Sequence, residues 1–164
     1  MGYSTEFEGT FKLDKPLKPR HMEYLEVFSD TSHVKFRIDG LAKLPDPLRR
    51  SVRLPIGDEG AYFLGITDEI DAFIMDRFQP PRGMPYGLCD WHPSRDGRAI
   101  EWNGREKFSH YVEWLAYLIE HFLKRWGYTL NGEVTWEGED PTDSGIIVVR
   151  DNVINVRSDF EPNA

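Results

Sequence analysis

The sequence predicts an α+β fold, a ferredoxin-like (split βαβ) antiparallel sheet with two main helices on one face. Three observations carry this. Arg105–Trp126 reads at 100° per residue as one long amphipathic helix. Tyr3–Leu13 alternates with period two. Strand-like segments flank the long helix on both sides, and outside an irregular insertion at about 31–85 the order is β–α–β–β–α–β, followed by an extra C-terminal strand.

Taken in order, Tyr3, Thr5, Phe7, Gly9 and Phe11 oppose Ser4, Glu6, Glu8, Thr10 and Lys12, the pattern of a half-buried strand. Pro19 suits the first turn of a short helix over Arg20–Asp30, which spaces Met22, Leu25 and Phe28 helically. The insertion holds most of the prolines and reads as packed on the main body. Within it, PDPLRRSV suggests a helical turn or two, Gly60–Ile66 a strand, and Ile70–Phe78 a strand or short helix. Leu88–His92 and Ala99–Trp102 form a hairpin around Ser94, Asp96 and Gly97. The long helix ends at Gly127. Leu130–Glu137 is a strand, GEDPTDSG a turn, and Gly145–Arg150 with Val153–Arg157 one strand bent at Asp151-Asn152, or two. One domain, 1–158, with a flexible tail at 159–164, is the expected organisation.

The 164 residues suffice for a core without covalent staples. A net charge of −8 repels phosphate backbones and disfavours nucleic acid. The exception to test is a local basic patch of Lys43, Arg49, Arg50 and Arg53. Carboxylates spaced along a ridge would instead make the chain a nucleic-acid mimic. Cys89 is the single cysteine, so no internal disulfide forms and a cytoplasmic setting is expected. No apolar run is long enough for a membrane span, and GYSTEFEG is not a signal peptide. The start also fails as a myristoylation signal, because Glu6 stands where Ser or Thr is needed.

The segments MGYSTEFEGTFKLDKPL, LPDPLRRSVRLPIGDEGAYFLG and IEWNGREKFSHYVEWLAYLIEHFLKRWGYTLNGEVTWEGEDPTDSGIIVVRDN cover most of the chain. They resemble an uncharacterised family of bacterial, notably actinobacterial, and bacteriophage proteins. The resemblance implies a cytosolic bacterial or phage protein and permits a role in phage–host conflict. It brings no reaction and no functional residues.

Two constellations suggest chemistry. On the long helix, His110, Trp114, Tyr117 and His121 share one side, on or beside the polar face. They make either a binding patch for a protein, a second copy or a stacked small ligand, or a stripe covered by the insertion or by another chain. His110 and His121 stand about 16 Å apart along a straight helix and cannot share a metal. The second constellation combines Cys89 and His92 with the acidic turn Glu137–Asp143, extended by Glu133, Glu101 and Asp96. Cys-x-x-His lacks the other half of a zinc site, and the turn does not match a calcium loop. There is no GxxxxGK[ST], GxGxxG or GxSxG motif. The expectation is therefore a non-enzymatic protein- or small-ligand-binding module without cofactor, metal or catalytic residues. It would bind a protein partner or itself through the long helix. The alternative is a small hydrolase or transferase built on Cys89, His92 and the acidic turn.

Overall fold

The computed structural model describes residues 2–160. Along the chain run β1 (Thr5–Leu13), α1 (Pro19–Asp30), β2 (Lys35–Phe36), α2 (Pro47–Ser51), β3 (Ile74–Asp76), β4 (Trp91–Pro93), β5 (Ala99–Trp102), α3 (Tyr111–Leu118), β6 (Leu130–Gly138), β7 (Ser144–Arg150) and β8 (Val153–Ser158). The chain divides into two compact units, one of residues 1–17 and 89–164, the other of Lys18–Leu88.

The first unit is built on a six-stranded antiparallel sheet in the order β4-β5-β1-β6-β7-β8. Its spine is the nine-residue pairing of β1 with β6, from Thr5 opposite Gly138 to Leu13 opposite Leu130. Period-two alternation then sorts the side chains. Phe7, Phe11, Ile100, Trp91, Val134, Trp136, Ile147 and Val149 point to the side that carries α3. The ring of Phe7 lies 5.0 Å from Tyr111 of α3 and 5.3 Å from both Trp91 and Trp102. Phe108 closes the same cluster. Gly145 makes room for Trp136 across the strands, since a Cβ there would come within 2.3 Å of the indole ring. The indole N–H donates to Asp143 at the turn that follows β6.

The long helix differs from its sequence pattern at both ends. It begins at Tyr111, because Lys107 and His110 take left-handed φ values of 67° and 56° that break helical continuity. After Leu118 the backbone widens into a π-helical turn, Ile119–Leu123, in which the Lys124 N–H donates to the Ile119 carbonyl at 2.9 Å. The extra residue advances the phase and buries Leu123 beside Phe122. Asp151 and Asn152 both have positive φ (49° and 69°), so the last segment is two strands joined by a tight two-residue turn. Past β8, Asp159 bonds Ser144 through backbone and side chain. Residues 161–164 of the expected tail lie outside the described residues.

The second unit contains α1, α2, the short β2–β3 pair and several 3₁₀ turns. The strand expected at Gly60–Ile66 does not form. Gly57, Glu59 and Gly60 all have positive φ, and the segment enters as a 3₁₀ turn, Asp58–Gly60. Ile70–Phe78 holds both expected alternatives in succession, a 3₁₀ turn and β3. Phe36, Leu41, Leu44 and Phe63 form a buried cluster with Val34, Ile56, Ile70, Phe73 and Ile74 against it. Asp46 and Arg49 form a buried ion pair at 2.6 Å. Arg49 also donates to the Leu54 carbonyl, and Asp46 accepts from the Leu64 N–H, so each charge is held by a second bond. His33 lies 4.3 Å from the ring of Phe28, donates to its carbonyl, and is pushed by burial down to about 4.

Asp46→Ala strands the guanidinium of Arg49 without its counter-charge, and urea unfolding should show a loss of about 3–5 kcal/mol. The double change Asp46→Leu/Arg49→Met, which removes both charges, should lose less, about 1–3 kcal/mol, because the Leu64 N–H is left without its acceptor. His33 stays neutral in the folded chain while the unfolded chain takes up a proton near pH 6.5. Its contribution to stability is therefore constant above pH 6.5, falls as pH drops from 6.5 towards 4, and flattens below. Replacing His33 by Gln should reduce the slope of that part of the stability–pH curve, and His21, which burial also lowers to about 4, keeps the remainder.

Candidate binding face of the sheet

The aromatic stripe of α3 is continuous but is not a surface. Trp114 is fully buried and Tyr117 is 5% exposed. Trp114 meets Tyr117 edge-on at 5.8 Å, and Tyr117 stacks on His121 at 3.8 Å. His121 is half-buried, and desolvation lowers its pKa. His110 is exposed beside Glu113, 3.1 Å from its carboxylate. A binding patch of His110, Trp114, Tyr117 and His121 is thus not presented to solvent, and partner binding or self-association through this helix has no aromatic surface to use. The physical reason is that α3 and its π turn are buried on most sides, with exposed positions confined to Glu113, Glu120, Lys124 and Arg125.

The ingredients of a catalytic site are not brought together either. Cys89 is completely buried, its thiol bonded to the Trp91 carbonyl, and burial raises its pKa far above the reactive range. His92 lies on β4 opposite Glu101. The acidic turn follows β6, separated from β4 by β5 and β1, which puts about 14 Å of sheet between them. Three carboxylates of the turn, Glu139, Asp140 and Asp143, are already engaged. Asp143 accepts from Trp136 and Tyr3, and Glu139 from the Ser4 N–H. Asp140 accepts from both the N–H and the hydroxyl of Thr142, which lowers its pKa. No group of three or more His, Cys, Asp or Glu among the described residues is placed to hold a metal ion. Two of the four residues of the basic segment are likewise committed, Arg49 in its ion pair and Arg50 on the carbonyls of Ala42 and Leu44, while Lys43 and Arg53 are exposed.

What the sheet does present is its other face. Glu6, Glu8, Thr10 and Lys12 of β1, Asn131, Glu133, Thr135 and Glu137 of β6, and Arg150 of β7 are exposed on it. Glu101 extends the carboxylates towards β4. Glu6 stands directly opposite Glu137, two like charges on neighbouring strands. A shallow cleft of about 780 Å³ opens here, lined by Glu6, Glu8, Glu137, Ser144, Ile146 and Asp159. The turn and strand carboxylates were visible in sequence, but Glu6 and Glu8 were not recognised as part of the same surface. Their spacing of two residues on the polar side of β1 was the available signal.

Because Cys89 is sealed in the core, a thiol reagent should leave the native protein unlabelled and react stoichiometrically once denaturant unfolds it. Labelling of the native chain at the rate of an exposed thiol would contradict this placement.

No helix among the described residues is long and apolar enough to cross a membrane. No protein-family model, no curated protein and no solved structure matches the chain.

Proposed function

We propose that the chain is a binding module rather than a catalyst, and that the open face of its sheet receives a basic segment of a partner protein. The observation that carries this reading is the like-charge pair Glu6–Glu137 at the mouth of an exposed cleft, with Glu8 and Asp159 beside it. Like charges placed directly across two strands destabilise a sheet, and a face shaped for stability alone would put a lysine at one of the two positions. A cationic partner relieves that repulsion and is drawn in by the net charge of −8. Ile146 adds an apolar contact in the same cleft. The strand order β4-β5-β1-β6 supports reading the sheet as ferredoxin-like, widened by β7 and β8. The resemblance to bacterial and phage proteins supports a cytosolic setting and leaves room for a part in phage–host conflict.

Titration with an arginine-rich peptide, followed by two-dimensional NMR, tests the reading. Binding should perturb the amides of β1, β6 and β7 and weaken steeply with added salt. Glu6→Lys/Glu137→Lys should abolish it, while the equal charge change Glu23→Lys/Glu26→Lys on α1 should not. Equal losses from both pairs, or perturbations away from the sheet, would overturn the proposal. Glu137→Lys alone should also stabilise the free protein by about 0.2–1 kcal/mol, by turning a repulsive cross-strand pair into an attractive one.

A further inference from the structure

The two edges of the six-stranded sheet are built differently. β4 is three residues long, ends in Pro93 and has Trp91 buried, so it offers little free backbone to another chain. β8 has six residues, with neither proline nor lysine, and carries Val153, Ile154 and Val156. Val153 is 61% exposed and Val156 44% exposed. Of the usual devices that protect an edge strand, β8 carries one charge, Arg157, and neither a proline nor a bulge.

The hydrogen bonding of β8 shows which groups are free to pair. In an antiparallel ladder each residue aims its N–H and C=O to the same side, and the side alternates along the strand. The Asp159 N–H donates to the Ser144 carbonyl, and the turn Asp151-Asn152 closes the pair Arg150–Val153. Val153, Asn155, Arg157 and Asp159 therefore face β7. Ile154, Val156 and Ser158 direct their backbone groups away from the sheet.

Beside the start of β8, on the side that carries α3, lies a pocket of about 360 Å³. Ala116, Ile119, Val153 and Ile154 give it an apolar lining, with Glu120 and Lys124 at its rim. Just past the other end of β8 stands Phe160, 59% exposed. At about 3.3 Å per residue the strand separates Val153 from Ser158 by about 17 Å, so Phe160, in the turn beyond Ser158, cannot fill the pocket of its own chain.

We propose that β8 is a self-association edge. The β8 strand of a second copy adds to it antiparallel about a twofold axis through Val156, and each Phe160 seats in the pocket of the other copy. That register pairs Val156 with Val156 and Ile154 with Ser158, so every outward-facing residue of β8 finds a backbone partner. It also brings the end of β8 that carries Phe160 alongside the other copy's Asp151-Asn152 turn, where the pocket opens. Knob and pocket stand at opposite ends of the same edge, so a twofold about its middle carries each knob to the other copy's pocket, as an isologous contact requires. An unrelated strand would gain the backbone bonds but would bring no phenylalanine to the pocket end. Two buried phenylalanines supply the anchoring contacts. The acidic face takes no part, so this inference stands or falls apart from the binding role proposed for it.

Sedimentation velocity on the wild type, Phe160→Ala and Val156→Pro, from low micromolar to submillimolar concentration, decides the matter. The wild type should reach twice the chain mass of 19.1 kDa. Each variant should move the monomer–dimer midpoint at least about tenfold upward, with far-UV circular dichroism unchanged. Proline at 156 removes an N–H that the ladder with β7 does not use, and Phe160→Ala changes an exposed side chain, so the second variant decides if the first fails to fold. A wild type that stays monomeric throughout, or a dimer indifferent to Phe160→Ala, would overturn the proposal.

Discussion

The first unit depends on one aromatic contact set, the packing of Phe7 against Trp91, Trp102, Phe108 and Tyr111. These residues come from β1, β4, β5, the loop before α3, and α3 itself, so a single ring joins five separate stretches of chain. Edge-to-face pairs of this kind contribute about 0.5–1.5 kcal/mol each beyond the area they bury. Tyr111 passes the contact on to Trp136, whose ring occupies the space left by Gly145. The apolar demand of the sheet is thereby met on one side. By the period of two, every residue between these anchors is turned to the other side, where water and carboxylates meet.

That division explains why the interior and the open face of the sheet differ so sharply. Tryptophan, tyrosine and cysteine, the residue types that most invite functional speculation, are spent on packing. Cys89 is an apolar filler with a weak bond to a carbonyl, and Trp114 and Tyr117 are core residues. The chemistry left to the solvent side of the sheet is charge and hydroxyl groups in a wide, shallow cleft. In the binding role proposed for it, such a surface orients and attracts a cationic partner. The free edge of β8 adds a second surface of a different kind, one that works through backbone bonds and a single apolar side chain.

Much of the fold was legible because it rests on local rules. The alternation of β1, the turn residues Ser94, Asp96 and Gly97, and the middle of the long helix all appear where the sequence puts them. The helix pattern left one point open. Its period gives one core face and does not say if the aromatics on the remaining face are exposed or covered. A helix that carries tryptophan and tyrosine on its second face is more simply one buried on several sides, as this one is. Its late start was hidden because neither Lys107 nor His110 is a residue type that advertises a left-handed turn. The π turn leaves no local signature either. In the second unit, Gly60–Ile66 has the composition of a strand, but positive φ at Gly57, Glu59 and Gly60 turns the chain first, and tertiary packing decides over propensity. The acidic face could not be assembled from sequence because its members come from β1, β5 and β6, and only the register brings them together.

The central claim is that the carboxylate face of the sheet lies open to solvent while the aromatic side is closed. Carbodiimide-driven labelling of carboxylates in the native protein, read by peptide mass spectrometry, tests it most directly. The account predicts rapid modification of Glu6, Glu8, Glu133 and Glu137, with Asp46 and Asp90, both buried, protected until the chain unfolds. Protection of the four glutamates in the monomeric native chain would mean that something covers this face, and the account would be wrong.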